Sequence, residues 1–265
     1  MISGLARVNY TYNNRYIFTA SIRADGSSIF PEENKFSYFP SGAFAWKVSE
    51  EPFLKDVRWI DILKLRLSYG QTGNQRVGAL SALAAMGTYY YSFNSKPGGE
   101  SAEVVQGQAP STIGNNLLKW ETTTQYNAGI DFTVLKGRLS LTVDAYYKDT
   151  RDLLITEQLP SVSGFQSAVR NIGRVSNKGM EFQVSSVNID KKDFNWTTDL
   201  NISFNRNVVE EIGNGDRIAI TPDPLIMDAY SDVFYVREGY PLGAMFGYVW
   251  DGIYQRQDFK EFYDS

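Results

Sequence analysis

From Leu139 to Tyr147 the chain alternates without a break. Leu139, Leu141, Val143, Ala145 and Tyr147 interleave with Ser140, Thr142, Asp144 and Tyr146. A side-chain period of two turns one face of a strand to an apolar medium and the other to water. The pattern recurs along most of the sequence, in segments that reach the roughly 9–11 residues a tilted strand needs to cross hydrocarbon. Soluble strands are typically shorter, about five or six residues. Alternation suits either a transmembrane barrel wall, with lipid on one face and a wet lumen on the other, or a soluble sandwich. Strand length, loop asymmetry and aromatic placement decide between them.

Eight long strands can be read. The first covers about Leu5–Asn13, and the Asn13-Asn14 turn that follows is suited to positive φ. The second is Arg15–Asp25. The third is Phe36–Ser49, where Pro40 and Gly42 predict a bulge. Glu50–Asp61, with Pro52, reads as a connection containing a short helix. The fourth is Ile62–Thr72, the fifth Glu121–Leu135, and the sixth runs from Arg138 to about Ile155. The seventh is Ile172–Ser186 and the eighth Asn195–Asn205. Thr88–Phe93 predicts a hairpin within the long fourth connection. Phe246–Tyr254 reads either as a ninth wall strand or as part of an outside loop.

The connections alternate in length. Those after strands one, three, five and seven run from about two to a dozen residues; those after two, four, six and eight are about ten, fifty, sixteen and thirty-odd. Short turns at one end and long loops at the other are the asymmetry of outer-membrane barrels. The long outside loops are expected at about 73–119, 156–171 and 206–241. Tyr12, Tyr16, Trp46, Phe132 and Trp196 cluster beside the short turns, where amphipathic rings suit the headgroup level.

Composition removes several classes. No stretch approaches the roughly 18 consecutive apolar residues of a membrane helix; the longest candidate, Ala79 to Met86, contains Ser81. The net charge is −4 with both signs interspersed, so no nucleic-acid partner is expected. Cys and His are both absent, which removes thiol and His-assisted nucleophiles and the commonest transition-metal ligands. No catalytic residue, metal site or cofactor is read from the chain. Asp149/Asp152, Asp228/Asp232 and Asp258/Glu261/Asp264 are paired carboxylates, but they fall in loops or at strand ends, where solvated charge is ordinary, and none has the spacing of a calcium loop. The start, Met1-Ile2-Ser3-Gly4, enters a strand pattern without a charged n-region or an apolar h-region. A barrel must be exported, so the expectation is either a soluble domain or a piece of a longer protein whose export signal and N-terminal portion lie outside this chain.

Several runs, in order, resemble the SusC/RagA-type TonB-dependent outer-membrane transporters of the Bacteroidetes. They are Arg23-Ala24-Asp25-Gly26-Ser27-Ser28 with Phe30, Phe39-Pro40-Ser41, Ala45-Trp46-Lys47-Val48-Ser49-Glu50-Glu51-Pro52-Phe53, and Leu63 through Gln75. Later come Leu118-Lys119-Trp120-Glu121-Thr122-Thr123, Asn171-Ile172-Gly173, Asn177-Lys178-Gly179-Met180-Glu181, and Gly247-Tyr248 with Trp250-Asp251-Gly252-Ile253. The resemblance implies an all-β chain, residues 1–265: an antiparallel transmembrane β-barrel wall, partial, with about eight strands of a wall of roughly 22 and no plug domain. It also implies TonB-energised uptake of an oligosaccharide or peptide ligand across the outer membrane. The implied partners are a SusD-like surface lipoprotein, the lipid bilayer, and TonB through an N-terminal region outside this chain.

Arg23, Asp25, Arg66, Glu121, Gln125, Asp131, Asp144 and Glu181 alternate inward and are expected to hydrate the lumen. Tyr89, Tyr90, Tyr91 and Trp120 are the aromatic candidates for stacking on a ligand ring; packing within their own loop is the alternative. Two other readings stay open at this level. One is a soluble all-β carbohydrate-binding or adhesion module, and the other a small complete eight-stranded barrel.

Overall fold

The computed structural model describes residues 1–55, 57–78, 82–92, 104–159, 161–165, 167–213, 217–220, 234–245, 250 and 252–253. The strands are β1 (Ile2–Tyr12), β2 (Tyr16–Gly26), β3 (Phe36–Lys47), β4 (Ile60–Asn74), β5 (Ala85–Ser92), β6 (Val104–Thr112), β7 (Glu121–Val134) and β8 (Leu139–Arg151). They continue with β9 (Leu154–Gln158), β10 (Ser167–Asn171), β11 (Arg174–Lys191), β12 (Phe194–Glu211), β13 (Arg217–Ile220), β14 (Phe234–Arg237) and β15 (Ala244–Met245). Most of Phe246–Tyr254, together with Asp228, Asp232, Asp258, Glu261 and Asp264, lies outside the described residues.

One sheet of eight strands dominates, in the order β1-β2-β3-β4-β7-β8-β11-β12, every pair antiparallel. These are the eight long strands expected from the alternation. The intervening pairs β5-β6 and β9-β10 are small separate hairpins at the long-loop end. β1 and β12 do not pair with each other, so the sheet is open and the reading as a complete small barrel fails.

Register aligns the apolar sets across the sheet. Phe44, Leu67, Ala128, Ala145, Met180 and Phe204 stand in one row on six adjacent strands. This face is bare: Phe18, Leu67, Ile130, Met180 and Phe204 are all exposed, the last by 63%. No second sheet packs on it among the described residues. The two buried apolar clusters, around Trp120 and around Val209, sit at the long-loop end of the sheet. A sandwich stores its apolar face against a second sheet. Here that face has only an external medium, which for strands this long is lipid.

The short-turn end is built tightly. Asn13 and Asn14 take φ of 49° and 54°, as their turn requires. Tyr12, Tyr16 and Trp46 stack in series at 6.4 and 6.3 Å, and Trp59 meets Phe132 edge-on. Their polar tips are gathered by buried Glu51, which accepts from the Tyr16 hydroxyl at 2.6 Å, Trp46 Nε1 at 3.0 Å and Arg15 at 3.2 Å. These donors, the Tyr16 hydroxyl foremost, hold the Glu51 carboxyl below the usual carboxylate range. A one-turn 3₁₀ helix, Val48–Glu50, takes the end of the strand expected to reach Ser49, and the described residues of the connection that follows form turns instead of the short helix expected within Glu50–Asp61.

Two local expectations are corrected. The β2-β3 register runs unbroken from Tyr16↔Trp46 to Gly26↔Phe36, so Pro40 and Gly42 make no bulge. Instead the β3-β4 ladder stops at Ser41↔Gly70, immediately before Pro40, which has no N–H to extend it. The irregularities fall at Ile60/Ile62, Arg174/Val175 and Val187/Ile189. The last wall strand, expected to end at Asn205, continues to Glu211.

Candidate functional site

On the inner face, opposite the apolar one, strands β4, β7 and β8 bring together Lys64, Arg66, Asp131 and Asp144. Arg66, Gly129 and Asp144 share one register row. Because the middle residue of that row is glycine, the Arg66 guanidinium crosses a whole strand. Its Nη2 reaches Asp144 at 3.0 Å, while Nε and Nη2 clasp Asp131 at 3.0 and 2.9 Å. Lys64 Nζ adds a contact to Asp131 at 3.2 Å. A Cβ on Gly129 would stand 2.4 Å from Asp144 Oδ1 and 2.7 Å from Arg66 Nη2. The four side chains balance in charge and are partly exposed. At that exposure each pair contributes on the order of 0.2–1 kcal/mol, so the cluster's main effect is to fix strand spacing and present ordered charge to the lumen.

All eight residues expected to face inward fall on this face by register. The structure groups Arg66, Asp131 and Asp144 as above and pairs Arg23 with Asp25, which is fully buried. Glu121 accepts from Asn74 at 3.2 Å. Glu181 stands opposite Asp144, and Gln125 lies farther toward the long-loop end. Around them the inner face is laced by short cross-strand bonds: Thr19 to Asn9, Ser21 with Ser41, Thr123 with Thr150, and Asn207 to Asn177. This face is polar, in contrast to the bare apolar one.

The aromatic candidates separate. Tyr89 and Tyr91 share one face of the β5-β6 hairpin at 6.5 Å, their rings lying against Gly87 and Gly107. Tyr90 projects from the opposite face and is 70% exposed. Trp120 is only 4% exposed; its ring packs on Phe30 at 5.1 Å and edge-on to Phe39 at 5.8 Å, with Leu118 and Ala82 completing the cluster. Phe39 in turn covers Gly73 so closely that a Cβ there would overlap its ring.

Three asparagines with no role assigned from sequence tie the loops together. Asn171 Nδ2 donates to the carbonyls of Lys119 and Asp152, and its Oδ1 accepts from the Lys119 amide at 2.8 Å. Asn115 donates to Val169 O and Asn34 to Leu118 O. The one local signal was Asn171-Ile172-Gly173, where Gly173 takes φ +101°. Apart from Asp152, 19 residues from Asn171, the partners lie some fifty or more residues away. Of the paired acids, Asp149 is held by Arg174 and Arg151, and Asp152 by Lys119.

Residues 3–258 match the family described as TonB dependent receptor-like, beta-barrel. The chain belongs to that family. Among individual TonB-dependent receptors, it is 38% identical over 262 residues to TonB-dependent receptor P3 of Formosa agariphila, covering 98% of this chain and 25% of that one. It is 39% identical over 217 residues to TonB-dependent receptor SusC of Bacteroides thetaiotaomicron, covering 82% and 21%. A solved structure of the RagAB peptide transporter superposes with a TM-score of 0.77 at 27% identity, covering 92% of this chain and 25% of that one. The chain therefore spans about a quarter of the length of the curated relatives it matches. Its open sheet is a partial TonB-dependent receptor barrel in the outer membrane, and the soluble-module reading falls.

Proposed function

We propose that this chain forms part of the wall of a transporter that imports oligosaccharides or peptides across the outer membrane, energised by TonB and capped by a SusD-like surface lipoprotein. The observation that carries the reading is the two-faced open sheet, with bare apolar rows outside and the Lys64/Arg66/Asp131/Asp144 cluster inside, in a chain similar to SusC and RagAB. The short turns then lie on the periplasmic side, and the long loops, about 75–119, 156–171 and 212–241, lie outside. Tyr89, Tyr90 and Tyr91 are the side chains proposed to meet ligand there. Trp120, walled in by Phe30 and Phe39, serves that surface by holding two loops together rather than by offering a ring face.

The test uses the full-length transporter. Binding is measured against a panel of oligosaccharides and oligopeptides, and uptake is measured in cells with and without TonB. One class should bind and enter only with TonB present. Tyr90→Ala should weaken binding roughly two- to tenfold, the loss of one ring contact of about 0.5–1.5 kcal/mol. TonB-independent entry, or binding of neither class, would contradict the proposal.

A further inference from the structure

At the long-loop end of the outward face, the apolar rows give way abruptly to cations. Tyr126, Tyr147, Lys178 and Arg206 form one row across β7, β8, β11 and β12. The next row in the apolar direction is Ala128, Ala145, Met180 and Phe204. Lys178 and Arg206 are exposed, lie side by side in register, and have no ion-pair partner among the described residues. Just above them Asp149 is nearly buried and held between two arginines: Arg174 at 2.7 and 3.1 Å and Arg151 at 2.7 Å. By register Arg174, Arg151 and Tyr147 all fall on this same outward face. Ser176 engages Glu210 nearby, and Glu211 stands in register with Arg174. Four cations thus meet three carboxylates, and the two cations nearest the apolar band are the unengaged ones.

A furrow of about 860 Å³ crosses the neighbouring apolar face. Its floor is small: Ala20, Gly42, Ala128 and Ala145. Its banks are the ring pairs Phe18/Phe44 at 5.0 Å and Tyr69/Tyr126 at 5.2 Å. Tyr147, which stands in register with Lys178, is among its lining residues.

We propose that this face holds one phosphate-bearing glycolipid of the outer leaflet, its phosphate at Lys178, Arg206 and the Arg174 fork and an acyl chain in the furrow. Cations that merely extend to water would need no furrow beside them, and a furrow of hydrocarbon contacts alone would need no unpaired cations at its rim. The combination matches an amphiphile with an anionic head. The assignment to the outer leaflet rests on the orientation given above, with the long loops outside.

The full-length protein in detergent is titrated with diphosphorylated lipid A, with the same lipid stripped of phosphate, and with phosphatidylglycerol, and bound lipid is read by native mass spectrometry. Lys178→Gln/Arg206→Gln leaves the Asp149 fork intact and should weaken lipid A binding about tenfold or more. Ala145→Leu, which narrows the furrow on an outward position, should weaken it while keeping the preference for phosphate. Equal binding of phosphorylated and stripped lipid, tighter binding of phosphatidylglycerol than of lipid A, or an unaltered double variant would overturn the proposal. Ligand uptake does not enter this readout, so a failed import assay leaves it standing, and normal import without lipid binding overturns it alone.

Discussion

Val143→Arg in the full-length protein will destabilise the assembled barrel by about 2–4 kcal/mol, whereas Thr142→Arg will be nearly neutral. Val143 is the middle residue of the five outward positions from Leu139 to Tyr147, and it stands between Ile130 and Phe182 in register. An arginine there must either enter hydrocarbon or pull the wall toward the interface. Thr142 points the other way, opposite Asp131 and Gln183 and close to the carboxylates that Arg66 binds. A new guanidinium on that side meets water and negative charge. Urea unfolding of the protein in vesicles, followed by the heat-dependent shift of folded barrels on gels, gives both values. Equal losses would mean that the two faces have been assigned wrongly.

Gly179→Ala should destabilise by about 1–3 kcal/mol, a large effect for one methyl group. Gly179 sits on the inner face between β8 and β12. A Cβ there would lie 2.4 Å from the Phe204 carbonyl oxygen and 2.7 Å from the Tyr146 ring. The ring can turn, but the carbonyl belongs to the sheet and cannot move without disturbing the β11-β12 ladder. Gly4, also within a strand, has nothing within 4 Å of its Cβ position, so Gly4→Ala should be neutral or slightly stabilising by the same assay. If the two alanines behave alike, the close approach at Gly179 is absent from the native wall.

Much of this was legible because a period-two code is local. Leu139 to Tyr147 alone specifies which side chains of β8 face outward, and neighbouring strands with the same alternation can align only in registers that keep those faces matched. The separation of Tyr90 from Tyr89 and Tyr91 follows from the same rule. What local reading missed depends on distant partners. Arg206 and Asn207 read as the start of a loop, yet they pair with Lys178 and Asn177, and pairing overrode their weak strand preference. Trp120, in a polar stretch before β7, looks available for ligand until Phe30 from the β2-β3 connection and Phe39 from β3 arrive to cover it. Pro40 suggested a bulge, but its effect is to end a ladder on one side only, which depends on which neighbour its nitrogen faces. Asn171 satisfies carbonyls on two different loops, and nothing in its immediate neighbours announces that.

The most direct test places single cysteines at each position from 139 to 147 of the full-length protein, in a background free of other cysteines. Each is then probed in intact vesicles with a water-soluble maleimide and, after fluorescent labelling, with a lipid-soluble quencher. Positions 139, 141, 143, 145 and 147 should be quenched from the bilayer and resist the maleimide, while 140, 142, 144 and 146 should show the opposite. Uniform labelling along the strand, or the same alternation with the faces exchanged, would contradict a wall that meets lipid with one side and the lumen with the other.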